Sequence, residues 1–84
     1  MHVTVVSPER AVFDGVADAV VAPAYDGQVG VLPHHAPFLT LLGTGVLQVR
    51  HGGGSASSRF QVSGGFLQVV GDAVRIVADR VEVS

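Results

Sequence analysis

Val74-Arg75-Ile76-Val77-Ala78-Asp79 is the stretch whose reading decides the class of fold. On an extended chain Val74, Ile76 and Ala78 share one side and Arg75 and Asp79 the other, the period of two shown by a strand with one packed and one wet face. The same alternation recurs toward the N-terminus. Phe60 and Val62 oppose Arg59 and Gln61, Leu47 and Val49 oppose Gln48 and Arg50, and Val3 and Val5 share a face. Between Val16 and Ala22, Ala17, Ala19 and Val21 lie opposite Val16, Asp18 and Val20. Helical periodicity is almost absent.

Turn signals separate these runs at short intervals: Ser7-Pro8, Asp14-Gly15, Asp26-Gly27, Pro33 and Pro37, Gly43-Thr44-Gly45, Gly52 to Ser58, Ser63-Gly64-Gly65 and Gly71-Asp72. They predict an all-β fold of about ten short antiparallel strands in a sandwich or flattened barrel. In this reading Ser63-Gly64-Gly65 is a tight turn between a Phe60 strand and a Phe66 strand. His51 to Arg59, the one low-complexity segment, reads as a mobile hairpin loop with few side chains able to order it.

Composition agrees. The chain has 84 residues, one domain's length, and 48% of them are apolar, including 18 valines against one isoleucine and six leucines. So small a domain needs nearly every apolar side chain for its core, which leaves little to line an internal pocket and counts against a small-molecule enzyme. Five arginines, no lysine and seven acids give a net charge of −2, without the basic stripe of a nucleic-acid binder or a polybasic membrane patch. Zero cysteines exclude a disulfide framework and thiolate chemistry. The apolar runs are too short for a helical span, and Met1-His-Val-Thr-Val-Val6 lacks the basic region of a signal peptide, so a soluble, cytosolic chain is expected.

The candidates for chemistry are few. His34-His35 is the only paired histidine, but neighbours on extended backbone point apart and no third ligand stands at a suitable spacing, so neither a metal site nor catalysis is expected there. The glycines after His51 lack a following Lys-Ser or Lys-Thr and do not open a helix, so they are not a phosphate cradle. Ser63 is no nucleophile elbow, because Gln61 stands where that motif needs glycine.

Gly27-Gln-Val-Gly-Val-Leu-Pro-His-His-Ala-Pro37, continuing through Phe38-Leu39-Thr40, resembles the Gly-Glu-x-Gly-x-x-Pro-Gly-His-Ala-Pro stretch of the epsilon subunit of the rotary ATP synthase. Ser63-Gly-Gly-Phe-Leu-Gln-Val69 and Val77-Ala78-Asp79 resemble two further motifs of that family, and Val5-Val6-Ser7-Pro8-Glu9 resembles its start. The resemblance spans all 84 residues. It implies a single domain over residues 1–84, the family's N-terminal flattened antiparallel β-sandwich. This would be a non-catalytic central-stalk subunit without cofactor, coupling the gamma subunit to the membrane c-ring during ATP synthesis. It implies a peripheral position on the cytoplasmic side of the cell membrane, with no direct lipid insertion and no nucleic acid. By position, Asp26, Gly27 and Gln28 would meet the polar loops of the c-ring, and Ser7, His35 and Thr40 would face gamma.

Three departures accompany the match. Gln28 stands where the family commonly has glutamate, which exchanges a charge-assisted bond for a neutral one about half as strong. His34 stands where glycine is usual. The sequence ends at Ser84, where the family often continues into a helical hairpin that can restrain ATP hydrolysis and in some members binds ATP; coupling without inhibition, and no ATP binding by this chain, are therefore expected. The competing readings are a free-standing small β-sandwich that binds a ligand or protein, and a small metal-dependent β-barrel enzyme using His34 and His35.

Overall fold

The computed structural model describes residues 1–34 and 36–83. Eight strands account for most of them: β1 His2–Val6, β2 Ala11–Val16, β3 Ala19–Ala24, β4 Gly27–Val31, β5 Phe38–Leu41, β6 Thr44–His51, β7 Ala56–Val70 and β8 Ala73–Val83. They hydrogen-bond in the order β2-β1-β8-β7-β6-β3-β4, with β5 also on β7.

The long β7–β8 hairpin organises the rest. It pairs from Val70↔Ala73 to Phe60↔Val83. The other edge of β7 carries β6 along its first part, from His51↔Ala56 to Thr44↔Ser63, and β5 along its last, from Leu41↔Phe66 to Phe38↔Val69. Two half-sheets result, β2-β1-β8-β7-β5 and β8-β7-β6-β3-β4, which share the hairpin. Each half has five strand segments, so the expected ten are present but are contributed by eight strands, two of them long. Residues of both halves form one apolar core cluster, including Val3, Val5, Val20, Val31, Leu47, Val49, Leu67 and Ile76, which places the halves face to face as a sandwich. No buried polar side chain interrupts the core among the described residues.

The alternation worked where strands are regular: Leu47, Val49, Phe60, Val62, Val74, Ile76 and Ala78 are all buried. It failed at Ser63-Gly64-Gly65, which lies inside β7 and is no turn. There the buried set changes from the even residues Phe60 and Val62 to the odd residues Leu67 and Val69, while pairing with β8 keeps the same register. The partner strand switches with it, from Val81 against the core to Ala78 in it. Gly64 and Gly65 carry φ of 70° and 104°, and a Cβ on Gly65 would stand 1.9 Å from the Val77 carbonyl oxygen. Only glycine lets the hairpin reverse its faces with the two backbones this close.

Three further expectations are corrected. The sheet is not wholly antiparallel, because β1 and β8 run parallel from His2↔Ala73 to Val6↔Val77. The run from Val16 to Ala22 is not one strand. Ala17 N donates to Met1 O in the first half and Asp18 N to Arg50 O in the second, so the chain changes halves between β2 and β3 and the alternation restarts there. The glycine-rich segment closes a short turn rather than a mobile loop. His51↔Ala56 is the last pair, Gly54 N donates to Asp18 Oδ2 at 2.9 Å, and Ser55 Oγ donates to Gly52 O at 2.6 Å.

Candidate functional site

Paired residues in a sheet project from the same face, so the register defines what the outer surface of the first half carries. One cross-strand row is Leu41, Phe66, Val77 and Val6; the next is Leu39, Gln68, Arg75, Thr4 and Asp14. Leu39 and Leu41 are 66% and 60% exposed, and Phe66 and Val70 are exposed beside them. Leu39, Thr40, Leu41, Phe66 and Gln68 line an open depression along β5. These exposed side chains correct the expectation that nearly every apolar residue is needed inside. An exposed apolar patch of this kind is a candidate interaction surface.

Thr40 lies in the middle of this region, half-buried and paired with Leu67. Continuing the register from Leu67 through Ile76 to Val5 puts three strand spacings, about 14 Å, between Thr40 and β1. Ser7 follows β1 at its far end. Its hydroxyl donates to Arg10 O at 3.1 Å and accepts from Arg10 N at 3.3 Å, which closes the β1–β2 turn. Ser7 and Thr40 thus belong to the same half-sheet but are not in contact. His35 lies outside the described residues.

Asp26, Gly27 and Gln28 are all exposed, at the turn between β3 and β4. The turn itself consists of Tyr25 and Asp26, one residue earlier than the Asp-Gly signal suggests, because Ala24 pairs with Gly27. Tyr25 N donates to Leu41 O at 3.1 Å, and Ala24 bridges to Leu42. The Asp26–Gln28 region is therefore joined to the end of β5 and lies closer to Thr40 along the bonded network than Ser7 does. His34 precedes β5 with φ of 67°, a left-handed conformation that explains why glycine suits that position. No group of three or more His, Cys, Asp or Glu side chains with metal-binding geometry occurs among the described residues.

Sequence reasoning missed the apolar face itself. Leu39 and Leu41 alternate about Thr40 as core residues would, and nothing local reveals that Thr40 is on the inner side. The available signal was the Gly64-Gly65 pair, which, read as a face reversal, puts Phe66 outside and Phe60 inside.

A small all-β sandwich built on one shared hairpin is the class that the fold defines. The chain belongs to the family described as ATP synthase, Delta/Epsilon chain, beta-sandwich domain, whose model matches residues 1–84. An ATP synthase epsilon chain of Desulforamulus reducens is 44% identical over 78 residues, covering 93% of this chain and 58% of that protein. An ATP synthase epsilon chain of Exiguobacterium is 40% identical over 84 residues, covering all of this chain and 61% of its own length. The chain thus spans about three fifths of the curated relatives it matches. A chain in the Euglena gracilis mitochondrial ATP synthase structure, described as OSCP/F1/c-ring in rotational state 1, superposes with a TM-score of 0.88 at 24% identity, over 96% of this chain and 51% of that one. A chain in the Tetrahymena thermophila mitochondrial ATP synthase structure, described as central stalk/c-ring, gives 0.81 at 21% identity, over 99% and 66%. At these identities the structural likeness speaks for the fold.

Proposed function

We propose that this chain is a non-catalytic central-stalk domain of a proton-translocating ATP synthase, coupling the gamma subunit to the membrane c-ring from a peripheral position on the cytoplasmic side of the membrane. Residues 1–84 would form one domain corresponding to the N-terminal sandwich of an epsilon subunit. Family membership supports the assignment, and the observation that carries the mechanism is the exposed apolar face around Leu39, Leu41 and Phe66.

In this reading gamma covers that face, with Thr40 on β5 and Ser7 beyond the end of β1, while His35 joins the contact on the motif resemblance alone. Asp26, Gly27 and Gln28 meet the c-ring loops. Because Tyr25 is bonded to Leu41, the two contacts adjoin, and a load on the turn passes directly into β5 through backbone hydrogen bonds. The chain contributes rigidity and position, with no reacting group of its own. No ATP binding is expected: the glycine turn opens no helix and carries no lysine, and its Gly54 N–H is committed to the Asp18 carboxylate. Calorimetry at millimolar ATP should register no binding to the 84-residue chain.

Gel filtration of the chain with a gamma subunit tests the proposal. Co-elution is expected, and Leu41→Glu should abolish it while the variant remains folded by circular dichroism. Absence of a complex, or a complex indifferent to Leu41→Glu, contradicts it.

A further inference from the structure

The outer face of the second half-sheet has a different character. Arg59 pairs with Gln48, Arg50 with Ser57 and Arg80 with Ser63, so three of the five arginines project from one face. None of the three makes an ion pair or side-chain hydrogen bond among the described residues, although the chain as a whole is net acidic. Arg50 and Arg59 are diagonal neighbours across β6 and β7. Arg80 lies further along the same face, the span from Ser57 to Ser63 being about 20 Å. Gln61 lies between them, and the Thr44 and Ser63 hydroxyls, 3.1 Å apart, adjoin Arg80. Acids flank the track: Asp18 lies beside Arg50, its carboxylate bonded to Gly54 N–H, Glu82 pairs with Gln61 at mid-track, and Glu9 and Asp79 line a depression with Arg80, so the arginines clear of acids other than Asp18 are Arg50 and Arg59.

We propose that this face docks an extended acidic segment of a partner protein, independently of the apolar face assigned to gamma. The arginines supply planar donor pairs matched to carboxylates, and a track of about 20 Å fits six or so residues of extended chain. The intervening Gln48 and Gln61 amides can bond to the segment's backbone. A peptide can set its carboxylates against Arg50 and Arg59 and a neutral or basic residue near Glu82, Asp79 and Glu9, whereas a uniformly anionic membrane surface cannot avoid these acids. Three arginines are also fewer than the cluster that membrane surfaces require.

The probe is a fluorescein-labelled peptide of about twelve residues alternating Glu and Ser, titrated with the 84-residue chain at low salt and followed by anisotropy and amide chemical shifts. Binding is expected with shifts confined to β6, the first part of β7 and the last part of β8 around Arg80. It should weaken about tenfold in Arg50→Gln/Arg59→Gln and several-fold in Arg80→Gln, and fade as salt rises through about 0.25 M. All three side chains are exposed, so the variants should keep the wild-type fold, and gamma binding should be unchanged in them. No binding, or binding insensitive to the arginine substitutions, overturns the proposal. So does arginine-dependent binding to phosphatidylserine vesicles as tight as to the peptide, which would assign the face to lipid.

Discussion

The two outer faces of the sandwich are built from the same pair of strands yet present opposite chemistry. Before Gly64, β7 turns Arg59 and Gln61 outward beside Gln48 and Arg50; after Gly65 it turns Phe66, Gln68 and Val70 outward beside Leu39 and Leu41. A hairpin that kept one side inward along its whole length would bury Phe66 as it buries Phe60. Surface character here therefore depends on backbone geometry at two glycines as much as on which residues are apolar.

Breaking that reversal should have the largest effect. Gly65→Ala adds a Cβ against the Val77 carbonyl at a left-handed φ, and we expect a loss of more than about 3 kcal/mol in urea unfolding. A loss under about 1 kcal/mol would mean that the reversal does not depend on glycine. Next come residues on opposite sides of β7. Leu67→Ala should cost about 2–5 kcal/mol, since Leu67 is fully buried, whereas Val70→Ser, at a position 56% exposed on the outer side, should cost under about 1 kcal/mol but weaken gamma binding. Similar stability losses at both positions would erase the distinction between inner and outer faces.

Smaller effects sharpen the comparison at the rim of the apolar face. Gln28→Glu should strengthen c-ring retention by up to about 1 kcal/mol if an arginine is presented there, and the increment should vanish at high salt. Weaker retention would contradict the assignment of the β3–β4 turn. His34→Gly should stabilise the chain by up to about 1 kcal/mol in thermal unfolding, because glycine occupies φ near 67° without steric cost. A destabilised variant would show that the His34 side chain contributes more than its backbone strain removes.

These cases also show what the sequence could reveal. Regular alternation identified the buried residues of β6 and β8 and the first part of β7, because burial on one face imposes the period directly. The parallel pairing of β1 with β8 was illegible, since it joins opposite ends of the chain and leaves no local signature. Gly64-Gly65 carries the same composition whether it ends a strand or reverses one. For the contact surfaces, the motif resemblance put forward Thr40 and Asp26–Gln28. Their adjacency through the Tyr25–Leu41 hydrogen bond emerged only from the fold.

Amide hydrogen exchange of the chain with and without gamma distinguishes the two outer faces. Slowed exchange should concentrate in residues 38–41 and 66–70, with Arg50 and Arg59 and their neighbours on β6 and early β7 unchanged. Protection centred on the arginine face, or no change around Leu39, Leu41 and Phe66, would contradict the assignment of the apolar face to gamma.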